Sequence, residues 1–171
     1  LQKQTARPVE LTNPAINGFT TADLIEDELP QVRRLEPDLV TILIGVNDLV
    51  RDRTPDQYRE SLVKIYDDVQ EQRAPEGKVF AVSIPNWSVV PAAREYGDPE
   101  RIRDLTDAYN DVARDEALAR GFGWIDITAA SISGLGTAGW ISSDGLHPGD
   151  VQYAAWAEVI WHQVRDGWSA R

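Results

Sequence analysis

Three short stretches of this chain carry residue types that can do chemistry together. The first is Asp144-Gly145-Leu146-His147-Pro148. A carboxylate three residues before a histidine, on a turn bounded by Gly and Pro, can accept the proton-bearing nitrogen of the imidazole. That fixes the tautomer and leaves the other nitrogen free as a base. Alone, Asp-x-x-His in a loop is more often an ordinary hydrogen-bonded turn. Two further stretches precede it in order: Asn13-Pro14-Ala15-Ile16-Asn17-Gly18 and, after an apolar run, Gly45-Val46-Asn47-Asp48. Acyl transfer needs donors aimed at the oxygen that becomes negative in the tetrahedral intermediate. Gly18 can offer a backbone N–H with no Cβ in the way, Asn47 a side-chain amide, and Gly45 a tight turn off the preceding run. Taken singly, Gly18 reads as a turn glycine and Asn47-Asp48 as a turn bonded to its own backbone. The ordered set of roles favours catalysis.

Such residues need elements to position them, and the pattern supplies strands alternating with helices. Val9 to Thr12 is a strand candidate ending at the Asn13-Pro14 turn. Thr20 to Glu28 reads as a helix capped by Thr20 or Thr21, interrupted at Pro30, with a further helical turn over Gln31 to Leu35. The apolar run Asp38 to Ile44 predicts a strand buried on both faces of a parallel sheet. Thr54, Pro55 and Gln57 form a capping box ahead of a helix whose apolar face is Tyr58, Leu62, Ile65, Tyr66 and Val69. Val79 to Ile84 is the next strand and Pro85 to Gly97 a long loop. Asp98 then caps a helix with Ile102, Leu105, Tyr109, Val112 and Ala113 on its apolar face, ended by Gly121. Gly123 to Ile127 is the last strand, and a Ser/Gly-rich loop from Ala129 to Ser143 leads to the Asp-His turn. A final helix carries Tyr153, Trp156, Ala157, Ile160, Trp161, Val164 and Trp168 as its stripe.

Alternation of this kind implies an α/β sandwich around a parallel sheet, with the active site beyond the carboxyl ends of the strands. Each of the three stretches follows a strand candidate, so all three are expected at one edge. Leu49, Val50, Trp87 and Trp140 fall in loops beside it, where they could line an acyl pocket or simply close the core. His162, mid-helix, reads as a structural residue.

Composition narrows the class. At 171 residues the chain is one domain, and 42% hydrophobic with 26% charged residues is ordinary for a globular protein. A net charge of −11 argues against nucleic acid or an anionic membrane as partner. No stretch approaches a transmembrane span. Without cysteines there are no disulfides or thiolate-ligated metals, and the redox compartment stays open. Two distant histidines make no metal-ligand spacing, so neither metal nor cofactor is expected.

The ordered motifs resemble the SGNH (GDSL-type) hydrolases, a family of serine esterases and lipases, over nearly the whole chain from Val9 to the final helix. The resemblance implies a three-layer α/β/α sandwich, flavodoxin-like, with a small-molecule ester as substrate. It implies Gly18 and Asn47 as the oxyanion hole and Asp144 with His147 as the catalytic pair; Leu49, Trp87 and Trp140 are the substrate-contacting candidates. One block departs from the pattern. The family's first strand ends in Gly-Asp-Ser and supplies the nucleophile, and no Gly-Asp-Ser occurs here. The resemblance therefore implies an N-terminally truncated SGNH-like domain over residues 1–171, its first strand missing and its serine upstream of Leu1. The rival reading is a non-catalytic binding module on the same fold. A nucleotide-binding flavodoxin-like reading fails for want of a Gly-rich phosphate loop.

Overall fold

The computed structural model describes residues 8–168, with side chains to Arg165. Its centre is a parallel sheet of three strands, β1 (Leu39–Ile42), β2 (Lys78–Val82) and β3 (Gly123–Ile125), in the order β1-β2-β3. The register pairs Leu39 with Lys78 and Phe80 with Gly123. Gly123 is required there, because a Cβ would meet the Phe80 ring.

Helices cover the sheet as crossover connections demand. On one face lie α1 (Thr21–Asp23), a π-turn (Leu24–Glu28) and α2 (Leu29–Leu35), followed by α4 (Pro55–Gln72) and α5 (Pro99–Ala119). On the other lies α7 (Asp150–Trp168), with short α6 (Thr128–Ile132) beside it. A single turn, α3 (Val46–Val50), follows β1.

Local signals account for the well-formed helices. Thr54 Oγ1 accepts from the Gln57 N–H at 3.2 Å while Gln57 Oε1 accepts from the Thr54 N–H at 2.9 Å, so the capping box starts α4 as the sequence implied. Asp98 accepts from the Glu100 and Arg101 N–H groups to start α5. Their stripes meet: Tyr58, Leu62, Ile65, Tyr66 and Val69 of α4 and Tyr109, Val112 and Ala113 of α5 are all buried. Tyr58 and Tyr109 stack with ring centroids 4.3 Å apart. Each large side chain buried this way stabilises the fold by about 1.5–3 kcal/mol.

Several expectations are corrected. Val9 to Thr12 forms no strand: a strand exists only through a partner ladder, no described strand lies against this stretch, and Leu11 is 86% exposed. Pro30 does not break the helical run. The Leu29 N–H reaches back five residues to the Leu24 carbonyl, and this π-turn absorbs the donor that proline lacks. The apolar run after Asp38 is not buried on both faces, since Ile42 is buried but Thr41 and Leu43 are exposed. The long loops hold short helices of their own, a 3-10 turn at Pro91–Glu95 and α6. On α7 the buried residues are Gln152, Trp156 and Val164, while Tyr153 and Ala157 are exposed. The side chain of Trp168 lies outside the described residues.

Candidate active site

Because the strands are parallel, the chain leaves all three at one edge of the sheet. Gly45 to Asp48 leaves β1, Ser83 to Val90 leaves β2, and α6 with the Asp-His turn follows β3. Asn13 to Gly18, lacking its strand, reaches this edge through hydrogen bonds instead.

The turn at Asp144 is a tight hairpin. The Ser142 N–H donates to the His147 carbonyl at 2.8 Å, the Gly145 N–H to the Ser142 carbonyl at 3.0 Å, and Ile141 bridges Pro148. Gly145 takes φ +74°, the left-handed region open to glycine. Inside the hairpin, Asp144 Oδ1 accepts from the Leu146 and His147 backbone N–H groups at 2.9 and 3.0 Å. Its Oδ2 lies 2.6 Å from His147 Nδ1. The Leu146 N–H, then the imidazole and the His147 N–H, hold the Asp144 carboxyl down at about 2. An ionised Asp144 only accepts, so Nδ1 carries the proton and Nε2 presents its lone pair. No described residue hydrogen-bonds Nε2, and the ring is half exposed.

Asn47 bonds the residue that follows Gly18. Asn47 Nδ2 donates to the Phe19 carbonyl at 2.9 Å, which assigns the amide orientation and consumes one of its two N–H groups. The second remains available. Gly18 has φ +89° and open space where a Cβ would stand. Gly45, at φ +127°, permits the turn into α3, and a Cβ there would meet the Tyr58 ring at 2.8 Å. The Tyr58 hydroxyl donates to the Ile44 carbonyl, pinning the exit from β1.

Two of the three candidate substrate contacts share a hollow. Leu49 and Trp87 line it with Val50, Tyr96, Ile102 and Leu105, and Asp52, Asp98 and Arg101 add charge. Trp87 is buried, and its indole N–H has no partner among the described residues. Asn110 fixes the loop carrying it by exchanging two hydrogen bonds with the Ile84 backbone, at 2.7 and 3.0 Å. Trp140 stands apart. It is buried over Gly134 and donates its indole N–H to the Ser131 carbonyl at 3.0 Å, at the base of the Asp-His hairpin. The hairpin in turn docks on the 3-10 turn, where the Ala92 N–H donates to the Gly145 carbonyl. These contacts tie the Asp-His hairpin to the 3-10 turn that follows the Trp87 loop and to α6. His162 is exposed on α7.

Sequence reasoning gave Asp48 no role of its own beyond its place in the Gly45–Asp48 stretch. The structure buries it completely and bonds it to Thr21. Three of the serines are engaged elsewhere. Ser83 is buried and its hydroxyl accepts from the Ile127 N–H. Ser131 donates to the Thr128 carbonyl, Ser88 to Asn86, and no described serine hydrogen-bonds His147 Nε2.

The chain is similar to known proteins in sequence and in fold. A family model described as the GDSL-like Lipase/Acylhydrolase family matches residues 1–155. Esterase TesA of Pseudomonas aeruginosa is 25% identical over 159 residues, covering 91% of this chain and 69% of that protein. The crystal structure of a lipase/acylhydrolase from Enterococcus faecalis superposes with a TM-score of 0.67 at 26% identity, over 87% of this chain and 72% of the other. Axe2, an acetylxylan esterase from Geobacillus stearothermophilus, gives 0.68 at 19% identity, over 86% and 68%; at that identity it speaks for the fold alone.

Proposed function

The chain belongs to the GDSL-like lipase/acylhydrolase family, and from that premise we propose that it supplies the base and the oxyanion hole of a serine esterase. The observation that carries the proposal is the Asp144–His147 pair, 2.6 Å apart with Nε2 unengaged. His147 Nε2 takes the proton from a serine hydroxyl as the serine oxygen attacks the ester carbonyl. Asp144 keeps the ring in the required tautomer and stabilises the imidazolium. Gly18 N–H and the free N–H of Asn47 receive the oxyanion. Collapse of the tetrahedral intermediate expels the alcohol, which takes the proton back from His147. Water, deprotonated by the same nitrogen, then attacks the acyl-serine; the acid is released as the serine oxygen takes that proton back from His147. Leu49 and Trp87 contact the substrate, and the unbonded Trp87 indole N–H is a donor a bound ester can satisfy.

The nucleophile is proposed to lie upstream of Leu1, on a strand of the same domain that pairs with β1. Two observations support this. No described serine reaches His147 Nε2 by a hydrogen bond. Among the described strands β1 pairs only with β2, so its other edge offers unpaired backbone groups that a strand would satisfy.

Hydrolysis of a short-chain aryl ester tests the proposal. The 171-residue chain is expected to show no enzyme-like turnover, since loss of a nucleophile costs on the order of a million-fold. Extending it at its amino terminus with the preceding coding sequence should create turnover, and His147→Ala should abolish it. An extended chain that binds ester-like ligands without turnover would replace the esterase with the rival binding module.

A further inference from the structure

Among the described residues Asp48 is the only charged side chain that is buried, and the chemistry proposed above makes no use of it. A dry carboxylate is costly unless charge and hydrogen bonds compensate it. Here three donors do so. The Thr21 N–H donates to Oδ2 at 2.8 Å, the Thr21 hydroxyl to Oδ1 at 2.5 Å, and Arg53 Nη1 to Oδ1 at 3.0 Å. Arg53 is itself held, donating through Nη2 to the Gln57 carbonyl and Ser61 Oγ on α4.

The adjacent side chain performs a matching task. Asn47 binds the Phe19 carbonyl while Asp48 binds Thr21, so two consecutive side chains of α3 grip the three residues that follow Gly18. Thr20 and Thr21 open a capped helical run that packs on α4, so the grip ties α3 and the chain around Gly18 to that frame. A helix of five residues is too short to be stable by its own hydrogen bonds. On the other side, residues 8–16 are without helix or strand, and Leu11 and Ile16 are exposed. Beyond this grip, Arg53 Nη1 donates to the Thr21 hydroxyl at 2.9 Å, and exposed Arg51 adds a 3.4 Å bond to the Gly18 carbonyl and a 4.0 Å ion pair to Asp23.

We infer that Asp48 is the positioning residue of the oxyanion hole: through Thr21 and Arg53 it sets the separation and aim of the Gly18 N–H and the Asn47 amide, without touching substrate. The role given to Gly18 and Asn47 rests on the esterase reading; the clamp itself is a property of this chain and can be measured in it. Asp48→Asn keeps the shape but turns a donor toward Thr21 or Arg53. Thr21→Val removes the hydroxyl with little change of volume, and Thr21→Ser restores it.

The test uses the 171-residue chain, nitrogen-labelled, with the Gly18 N–H and the Asn47 side-chain amide assigned by NMR. In the unaltered chain the two Asn47 amide protons should be well separated, one of them protected from exchange by the Phe19 carbonyl. In Asp48→Asn and Thr21→Val the separation and protection should be lost and the Gly18 signal should move, while Thr21→Ser keeps all three. Resonances of the Tyr58–Tyr109 stack should stay in place, separating a local change from a general one. In the extended chain the same two variants should lower kcat by about tenfold at unchanged KM, less than the 10²–10³ lost when a donor is removed outright. If Asp48→Asn does not fold, the Thr21 pair decides alone. Unmoved Asn47 and Gly18 signals in Thr21→Val would overturn the inference, as would a KM effect without a kcat effect. An extended chain with no turnover would sink the esterase reading and leave the amide signals to decide the clamp.

Discussion

The two faces of the sheet are finished to different degrees. On the face of α4 and α5, every position of the α4 stripe is buried, and β1 and β2 contribute Ile42, Val79 and Ala81 to one continuous core. On the face of α7, a smaller cluster joins Val82, Ile125, Ile127, Trp156 and Val164. There Thr41, which points to this side of β1 by alternation, is exposed, and Tyr153 of α7 is 54% exposed. Apolar stripe and buried stripe coincide where both partners are present and diverge where one is not. The poorly covered region adjoins the strand whose outer edge lacks a described partner, and the proposed nucleophile strand would be added there.

Substitutions can break that contrast. Ile65→Ala, in the filled core, should lower stability by about 2–5 kcal/mol through lost burial and a residual cavity. Urea denaturation followed by circular dichroism measures it. A loss well under that range would show that the α4 face is no better packed than the other. An intermediate effect belongs to the Asp-His hairpin and depends on pH. Its carboxyl is held at about 2, below the ordinary 3.8, so its contribution is complete above 3.8 and is lost as pH falls through about 2. Carboxyl-carbon NMR of Asp144 during an acid titration should give a midpoint near 2. A midpoint near 3.8 would mean that the hairpin does not hold its carboxylate. The smallest effect is expected at Tyr153→Ala on α7, about 1 kcal/mol, because the residue is half exposed and its ring contact is with Trp156. A loss matching that of Ile65→Ala would erase the distinction between the faces.

What the sequence disclosed follows the same division. The capping box of α4, the α4 and α5 stripes and the Asp144–His147 pair were legible because each is set by spacing within one segment. Spacing alone sets such contacts. The Val9–Thr12 stretch and the second face of β1 were not legible in that way, since the state of a strand depends on a neighbour its own sequence does not name. Pro30 misled for a different reason: a π-turn can absorb a missing donor, and helical periodicity does not register it. Asp48 escaped because its partner, Thr21, lies 27 residues away and nothing local distinguishes a buried carboxylate from a turn former. Trp140 showed an aromatic in a loop but not the Ser131 carbonyl and the Gly134 surface that hold it.

The central claim is that His147 serves a serine lying outside Leu1 to Arg171. A serine-directed fluorophosphonate, applied to the chain extended at its amino terminus and mapped by peptide mass spectrometry, tests it most directly. The account predicts one modified serine, located before Leu1, with labelling lost in His147→Ala and no adduct on the 171-residue chain by itself. A stoichiometric adduct on Ser83, Ser88, Ser131, Ser142 or any other serine of the 171-residue chain would contradict it.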